Sequence, residues 1–269
     1  MPYFEIHDGV PIYYEDKGQG ETILLVHGWM MNAEYWWQKN FDVLAESHRV
    51  VALDLRGHGL SGKTDAGHTL AQYARDVREL IETLELTDVT LVGWSMGTAV
   101  LLEYLDQFGS HRLSRAVFVD QSPKLQYDDD WPHGSPGKFS GIDGIDIATN
   151  LTYNRPSIAK SFLESMFSEP PTADTIDEMY AETTKTPTSV AIDIFLDVVY
   201  ADFRPVLSTI DVPVLLLYGE RNDIFPTDVG GWLEDHLSEA TLVRFDQSGH
   251  CPFWEEAEKF NQTVASFAE

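Results

Sequence analysis

Cationic charge is scarce in this chain: 8 Lys and 10 Arg stand against 24 Asp and 20 Glu in 269 residues, a formal net charge of −26. Such an excess repels nucleic acid and anionic lipid, so neither is expected as a partner. It also sets the compact state against its own repulsion unless salt screens it. Carboxylate-rich, lysine-poor composition resembles that of proteins from salty cytoplasm, for which stability is expected to rise with salt; the alternative is a merely acidic cytosolic protein. Cysteine is nearly absent. Its one copy, Cys251, forms no internal disulfide, as suits a reducing compartment. No apolar run approaches the ~18 residues of a membrane span, and the opening Met1-Pro2-Tyr3-Phe4-Glu5 carries no basic region or signal core, so a cytoplasmic location and no membrane partner are expected. No His, Cys, Asp and Glu spacing matches a usual metal site; Asp54, Arg56 and His58 read as a hydrogen-bonded turn, and neither metal nor cofactor is expected.

What the chain does have is Val92-Gly93-Trp94-Ser95-Met96-Gly97, a serine framed by glycines between an apolar run at 88–92 and a helical pattern at 99–108. This is the pattern of a nucleophile elbow, a strand-to-helix turn so tight that the neighbouring residues must be small. The strain leaves the serine hydroxyl exposed at the carboxyl end of the strand.

A serine hydroxyl at neutral pH needs a base, and the base an orienting acid. Leu242-Val243-Arg244-Phe245 reads as a strand, and the loop that follows it carries His250, the candidate base. Val212 to Tyr218 reads as another strand, and Gly219-Glu220-Arg221-Asn222-Asp223 leaves it with Asp223 as the candidate acid. The order Ser, Asp, His is the one such an elbow expects. Asp120, ending the sixth strand, is the alternative acid; the Gln121-Ser122-Pro123 that follows suits it to cap a turn. Cys251, beside the base, has no elbow of its own and reads as packing.

The remaining need is a pair of donors for the oxyanion of the transition state. Ile23 to Val26 reads as a strand ending in His27-Gly28-Trp29, and the backbone N–H groups of Trp29 and Met96 are the candidate donors, with His27 bracing the loop. With Asp54-Leu55-Arg56-Gly57-His58-Gly59 after the fourth strand, these motifs make the chain resemble an α/β-hydrolase-fold serine hydrolase along essentially its whole length. His-Gly-Trp, Gly-Trp-Ser-Met-Gly and Ser-Gly-His-Cys-Pro are together similar to the esterase and cofactor-free haloperoxidase (perhydrolase) group, although Met30 stands where members of that group often carry proline. Relatives that place aspartate at the elbow, haloalkane dehalogenases and epoxide hydrolases, are excluded by Ser95.

The resemblance implies a mainly parallel eight-stranded sheet flanked by helices, with a helical cap inserted after strand 6. An opening hairpin is expected around Asp8-Gly9, then strands near 23–27, 49–54, 88–93, 114–119, 212–218 and 241–245, and helices near 34–46, 70–85, 96–108, 228–237 and 253–267. The core domain is expected at 1–120 and 210–269, and the cap at 121–209. The cap opens on a loop marked by Pro132, Gly134, Pro136, Gly137, Gly141 and Gly144, followed by helices near 157–167, 174–185 and 188–199. Candidate substrate-binding residues are Trp29, Met30, Trp94, Trp131, Phe225 and Phe253, with the cap aromatics Phe139, Phe162, Phe167 and Phe195.

The expected function is hydrolysis of a small-molecule carboxylic ester or lactone through an acyl-enzyme, of the carboxylesterase type (EC 3.1.1). The alternatives are a cofactor-free haloperoxidase or perhydrolase and, in a different class, a non-catalytic or slow-turnover ligand receptor on the same fold. The sequence leaves the oligomeric state open.

Overall fold

A computed structural model describes residues 3–135 and 137–269; Pro136 of the expected loop and the Met1-Pro2 start lie outside them. Eight strands form one sheet: β1 (Tyr3–Glu5), β2 (Pro11–Lys17), β3 (Thr22–Val26), β4 (Arg49–Leu53), β5 (Val89–Trp94), β6 (Leu113–Val119), β7 (Val214–Gly219) and β8 (Ala240–Phe245). Their order is β1-β2-β4-β3-β5-β6-β7-β8. The hairpin strands β1 and β2 pair antiparallel, as do β2 and β4, and every pair from β4 to β8 is parallel.

The parallel strands read as unbroken apolar runs because both faces of the sheet are covered. Alternate residues divide between two cores. Leu24, Val51, Leu91 and Phe118 face one, and Leu25, Val50, Val92 and Val117 face the other. The covering helices are α1 (Ala33–Trp36), α2 (Phe41–Leu44), α3 (Leu70–Thr83) and α4 (Met96–Phe108), then α5 (Gly141–Ser165), α6 (Ala173–Thr183), α7 (Thr188–Tyr200), α8 (Arg204–Leu207), α9 (Val229–His236), α10 (Pro252–Glu255) and α11 (Ala257–Ala268).

Two expected helices are broken. The one at 34–46 is two single turns, α1 and α2. Trp36 and Trp37 are both fully buried, and between the turns Asn40 donates to Phe253 O at 3.0 Å and to Asn261 Oδ1 at 2.8 Å, which ties the chain to the C-terminal helices. The one at 253–267 breaks at Glu256 (φ −120°, ψ 51°). There the carboxylate accepts from Gln247 N and Ser248 Oγ, at 3.0 and 2.7 Å, instead of letting the turn continue.

Between β6 and β7 the chain builds α5, α6 and α7, with α5 packed on the other two. Gly141 and Gly144, read from sequence as loop markers, lie inside α5. A Cβ at Gly141 would come within 2.8 Å of the Tyr200 side chain, and one at Gly144 within 2.9 Å of Val199, so these glycines permit close packing of α5 on α7. Ser140 and Asp143 cap α5 reciprocally, and a kink at Asn154 (φ −146°, ψ 49°) precedes Pro156.

Candidate active site

Ser95 joins β5 to α4 with φ 54° and ψ −122°, a left-handed conformation that strains any residue bearing a Cβ. The turn closes because its flanking glycines lack side chains. A Cβ at Gly93 would lie 2.4 Å from Gly97 O, and one at Gly97 would lie 2.3 Å from Val26 O. The serine is thereby held at the carboxyl edge of the sheet, on the border of a cavity of about 470 Å3.

His250 lies in the loop after β8, fully buried. Its backbone is fixed from both sides: its N–H donates to Met166 O at 2.7 Å, and its carbonyl accepts from Trp94 Nε1 at 2.9 Å. The ring packs against Trp94 and Phe225, each 5.6 Å away between centroids. Nδ1 lies 2.9 Å from Asp120 Oδ1. Nε2 is buried and, among the described residues, has no hydrogen-bond partner.

The acid expected from sequence was Asp223, and the structure corrects it: the carboxylate on His250 belongs to Asp120. Asp120 adopts φ 50° at the end of β6, which turns its side chain toward β7. Its Oδ2 accepts from Gly219 N at 3.0 Å, and its Oδ1 accepts from Asn222 Nδ2 at 2.5 Å as well as from His250. Asp120 is fully buried. Asp223, one residue beyond Asn222, is exposed and borders the cavity. The left-handed Asp120 and the inward-facing Asn222 together leave Asp223 no place beside the imidazole.

The loop after β3 brings Trp29 to the cavity, where its ring stacks on Phe195 with centroids 4.7 Å apart and its Nε1 donates to Ala191 O at 2.7 Å. His27 holds this loop, with Nδ1 on Gly28 O at 2.8 Å and Nε2 accepting Leu55 N at 3.0 Å. Burial depresses the His27 pKa, consistent with this neutral, accepting tautomer. Trp29 and Met96 both border the cavity, and among the described residues their backbone amides donate to no carbonyl in the surrounding loops.

Of the other sequence-derived pocket residues, Phe225 and the cap-segment aromatics Phe139, Phe162 and Phe195 border the cavity, whereas Phe167, packed in the core, and four more do not. Met30 is fully buried in the core at φ 60°, its sulfur toward Arg155. Trp94 donates to the His250 carbonyl and packs at a tilt against Trp36. Phe253 packs edge-on to Trp94 and against Trp37. Trp131 turns away to Trp232, with its Nε1 on Lys124 O at 2.8 Å. Adjacency in sequence to Ser95 and His250 thus places Trp94 and Phe253 in the packing around those loops. The cavity walls come from three of the named aromatics, Phe139, Phe162 and Phe195, together with Ile147 and Ile158.

Three further candidates form structural contacts. Asp54 accepts the Ala33 and Leu60 amides, at 2.7 and 2.6 Å. Arg56 clamps Asp76 with two 2.9 Å bonds, and His58 Nδ1 lies 3.0 Å from Arg56 O. Cys251 is buried, which pushes its thiol pKa well up and keeps it protonated.

A strained serine, a buried histidine–carboxylate pair and an apolar cavity at the carboxyl edge of a parallel sheet define the architecture of the α/β hydrolases. The chain matches the α/β-hydrolase fold over residues 21–257 and belongs to that family. It is 30% identical to a putative non-heme chloroperoxidase of Synechocystis sp., over 100% of both chains. It is 27% identical to a bifunctional esterase/perhydrolase of Acinetobacter calcoaceticus, over 99% of both. Among solved structures, an esterase from Exiguobacterium antarcticum superposes with a TM-score of 0.92 at 27% identity, covering 99% of this chain and 98% of that one.

Proposed function

We propose that this protein is a serine hydrolase of carboxylic esters or lactones, in which Ser95 attacks the carbonyl, His250 moves the proton and Asp120 orients and stabilises His250. The observation that carries this reading is the buried His250 itself. With Nδ1 committed to Asp120, its second nitrogen has no partner among the described residues, and the elbow serine borders a cavity that is also lined by Phe225, the ring packed on His250. An Nδ1–H tautomer leaves Nε2 basic, as a general base requires.

The Ser95 hydroxyl proton passes to Nε2 as the oxygen bonds to the substrate carbonyl carbon. The resulting oxyanion is met by the Trp29 and Met96 amides, donors of a kind whose individual loss costs roughly 10²–10³ in rate. Collapse expels the alcohol, which takes the proton from His250 and leaves an acyl-enzyme. Water, deprotonated by the same nitrogen, then releases the acid. Residues 121–209 act as the cap: α5 and α7 supply Ile147, Ile158, Phe162 and Phe195 as the apolar wall around the acyl group. A cavity of about 470 Å3 suits small to medium substrates.

The relatives named as peroxidases and as a perhydrolase support a second acceptor, hydrogen peroxide, at the acyl-enzyme stage. The oxyanion donors serve either nucleophile equally, so the balance rests on the pocket. The test compares kcat/KM across short- and medium-chain esters and lactones with peracid formation from acetate and peroxide, on one preparation and on Ser95→Ala. Ester or lactone turnover is expected to exceed perhydrolysis and to vanish in Ser95→Ala. Perhydrolysis above every ester, or stoichiometric ligand binding without turnover, contradicts the reading.

A further inference from the structure

Asn222 is the part of the site to which the proposed chemistry assigns no role. It leaves β7 in the same loop as Asp223, and its amide is committed at both ends. Nδ2 donates to Asp120 Oδ1 at 2.5 Å. Oδ1 accepts the backbone amides of Ile224 and Phe225, at 2.8 and 3.3 Å. The two ends need opposite polarity, a donor toward the carboxylate and an acceptor toward the amides, so the orientation of the amide is fixed by its partners. His250 Nδ1 and Asn222 Nδ2 thus meet on one carboxylate oxygen, while Ile224 and Phe225 border the cavity.

Resting on the assignment of Ser95, His250 and Asp120 above, we infer that Asn222 is a positioning residue: it fixes the rotamer of Asp120 from the side opposite Gly219 and couples that carboxylate to the pocket wall at Ile224-Phe225. A buried carboxylate with one bond to Gly219 N–H and one to the imidazole is free to rotate when the imidazole moves during proton transfer. The third donor removes that freedom. Charge-assisted hydrogen bonds of this kind are the stronger and more directional ones. Because the Asn222 side chain already reaches the oxygen on which His250 rests, the carboxylate is transferable between the two positions. A carboxylate at 222 still accepts from Ile224 and Phe225, an amide at 120 still accepts from Gly219 N–H and donates to position 222, and the imidazole turns its Nδ1–H from the amide at 120 to the carboxylate at 222.

The experiment uses the full chain and three variants: Asn222→Ala, Asp120→Asn, and the exchange Asp120→Asn/Asn222→Asp, with a thermal melt on each. Asn222→Ala is expected to lower kcat by about 10- to 100-fold with KM changed less than about threefold, a split that loss of packing alone does not produce. Asp120→Asn presents an amide N–H to Nδ1 and is expected to lose on the order of 10⁴ in kcat, the scale of a wrong tautomer. The exchange is isosteric at both positions, so it keeps the test alive if the alanine variant does not fold. It is expected to recover at least tenfold over Asp120→Asn. Wild-type kcat in Asn222→Ala, or an exchange variant no better than Asp120→Asn, overturns the role of Asn222. Wild-type kcat in Asp120→Asn instead overturns the catalytic assignment beneath it.

Discussion

His250 Nδ1 and Asp120 Oδ1 lie 2.9 Å apart with both side chains fully buried, a contact made across 130 residues of sequence and three neighbouring strands. The His250 imidazole is therefore oriented from the end of β6, while the loop after β7 contributes an amide, Asn222, and an exposed carboxylate, Asp223.

Two isosteric substitutions separate these carboxylates. Asp120→Asn should lower kcat by on the order of 10⁴, whereas Asp223→Asn should change it less than about tenfold, since Asp223 borders the cavity and makes no hydrogen bond to His250. Steady-state kinetics on a common ester decide the matter; the reverse ranking returns the acid to Asp223.

Met30 carries a second prediction. Here the residue is buried with φ 60°, a value closed to the proline ring, which fixes φ near about −65°. Met30→Pro should therefore destabilise the chain by more than about 1 kcal/mol and depress ester turnover without raising perhydrolysis. A melt unchanged from wild type would show that the loop after β3 is far more plastic than its packing implies.

Acid should weaken the fold through His27 and His58, whose rings pack at a tilt with centroids 5.2 Å apart. Burial depresses both pKa values below the ordinary 6.5, and His58 well below it; the neighbouring His27 and Lys63 charges act in the same direction on His58. The folded state thus binds fewer protons than the unfolded one in this range. The stability they contribute is complete above about pH 6.5 and declines as pH falls from there toward the folded-state values. Denaturant titrations between pH 7 and pH 5 should show a slope that becomes shallower in His58→Gln. Equal slopes in the two proteins would remove His58 as a contributor.

Salt should act in the opposite sense. With a net charge of −26, screening relieves self-repulsion. Exposed pairs such as Lys17–Asp42 lose little when screened, because they contribute little. The melting temperature is expected to rise between dilute buffer and molar KCl, and a flat or falling curve would mark the acidity as incidental.

The elbow at Ser95, the strands and the position of His250 were legible in the sequence because each depends on local sterics or periodicity, such as the clash that a Cβ at Gly93 or Gly97 would create. The acid was not legible. The choice between Asp120 and Asp223 rests on a positive φ at Asp120 and on an amide, not a carboxylate, facing inward at Asn222, and neither leaves a mark in composition or spacing. The pocket was legible only in part: Trp29, Phe139, Phe162, Phe195 and Phe225 border the cavity, and the remaining candidates failed for a related reason. Trp94, Trp131 and Phe253 are large, apolar and near the site in sequence, but Trp94 and Phe253 pack around the Ser95 and His250 loops and Trp131 packs against Trp232. The cavity is walled by α5 and α7, whose facing sides are set by how Gly141 and Gly144 let the helices approach. Asn40 and Glu256 broke two helices through contacts that only the folded chain brings together.

The most direct test of the central claim is covalent labelling with an organophosphonate, followed by peptide mapping. The chemistry proposed here requires one adduct per chain on the peptide carrying Ser95, with label and ester turnover lost together in Ser95→Ala. Labelling at another residue, with turnover intact in Ser95→Ala, would contradict it.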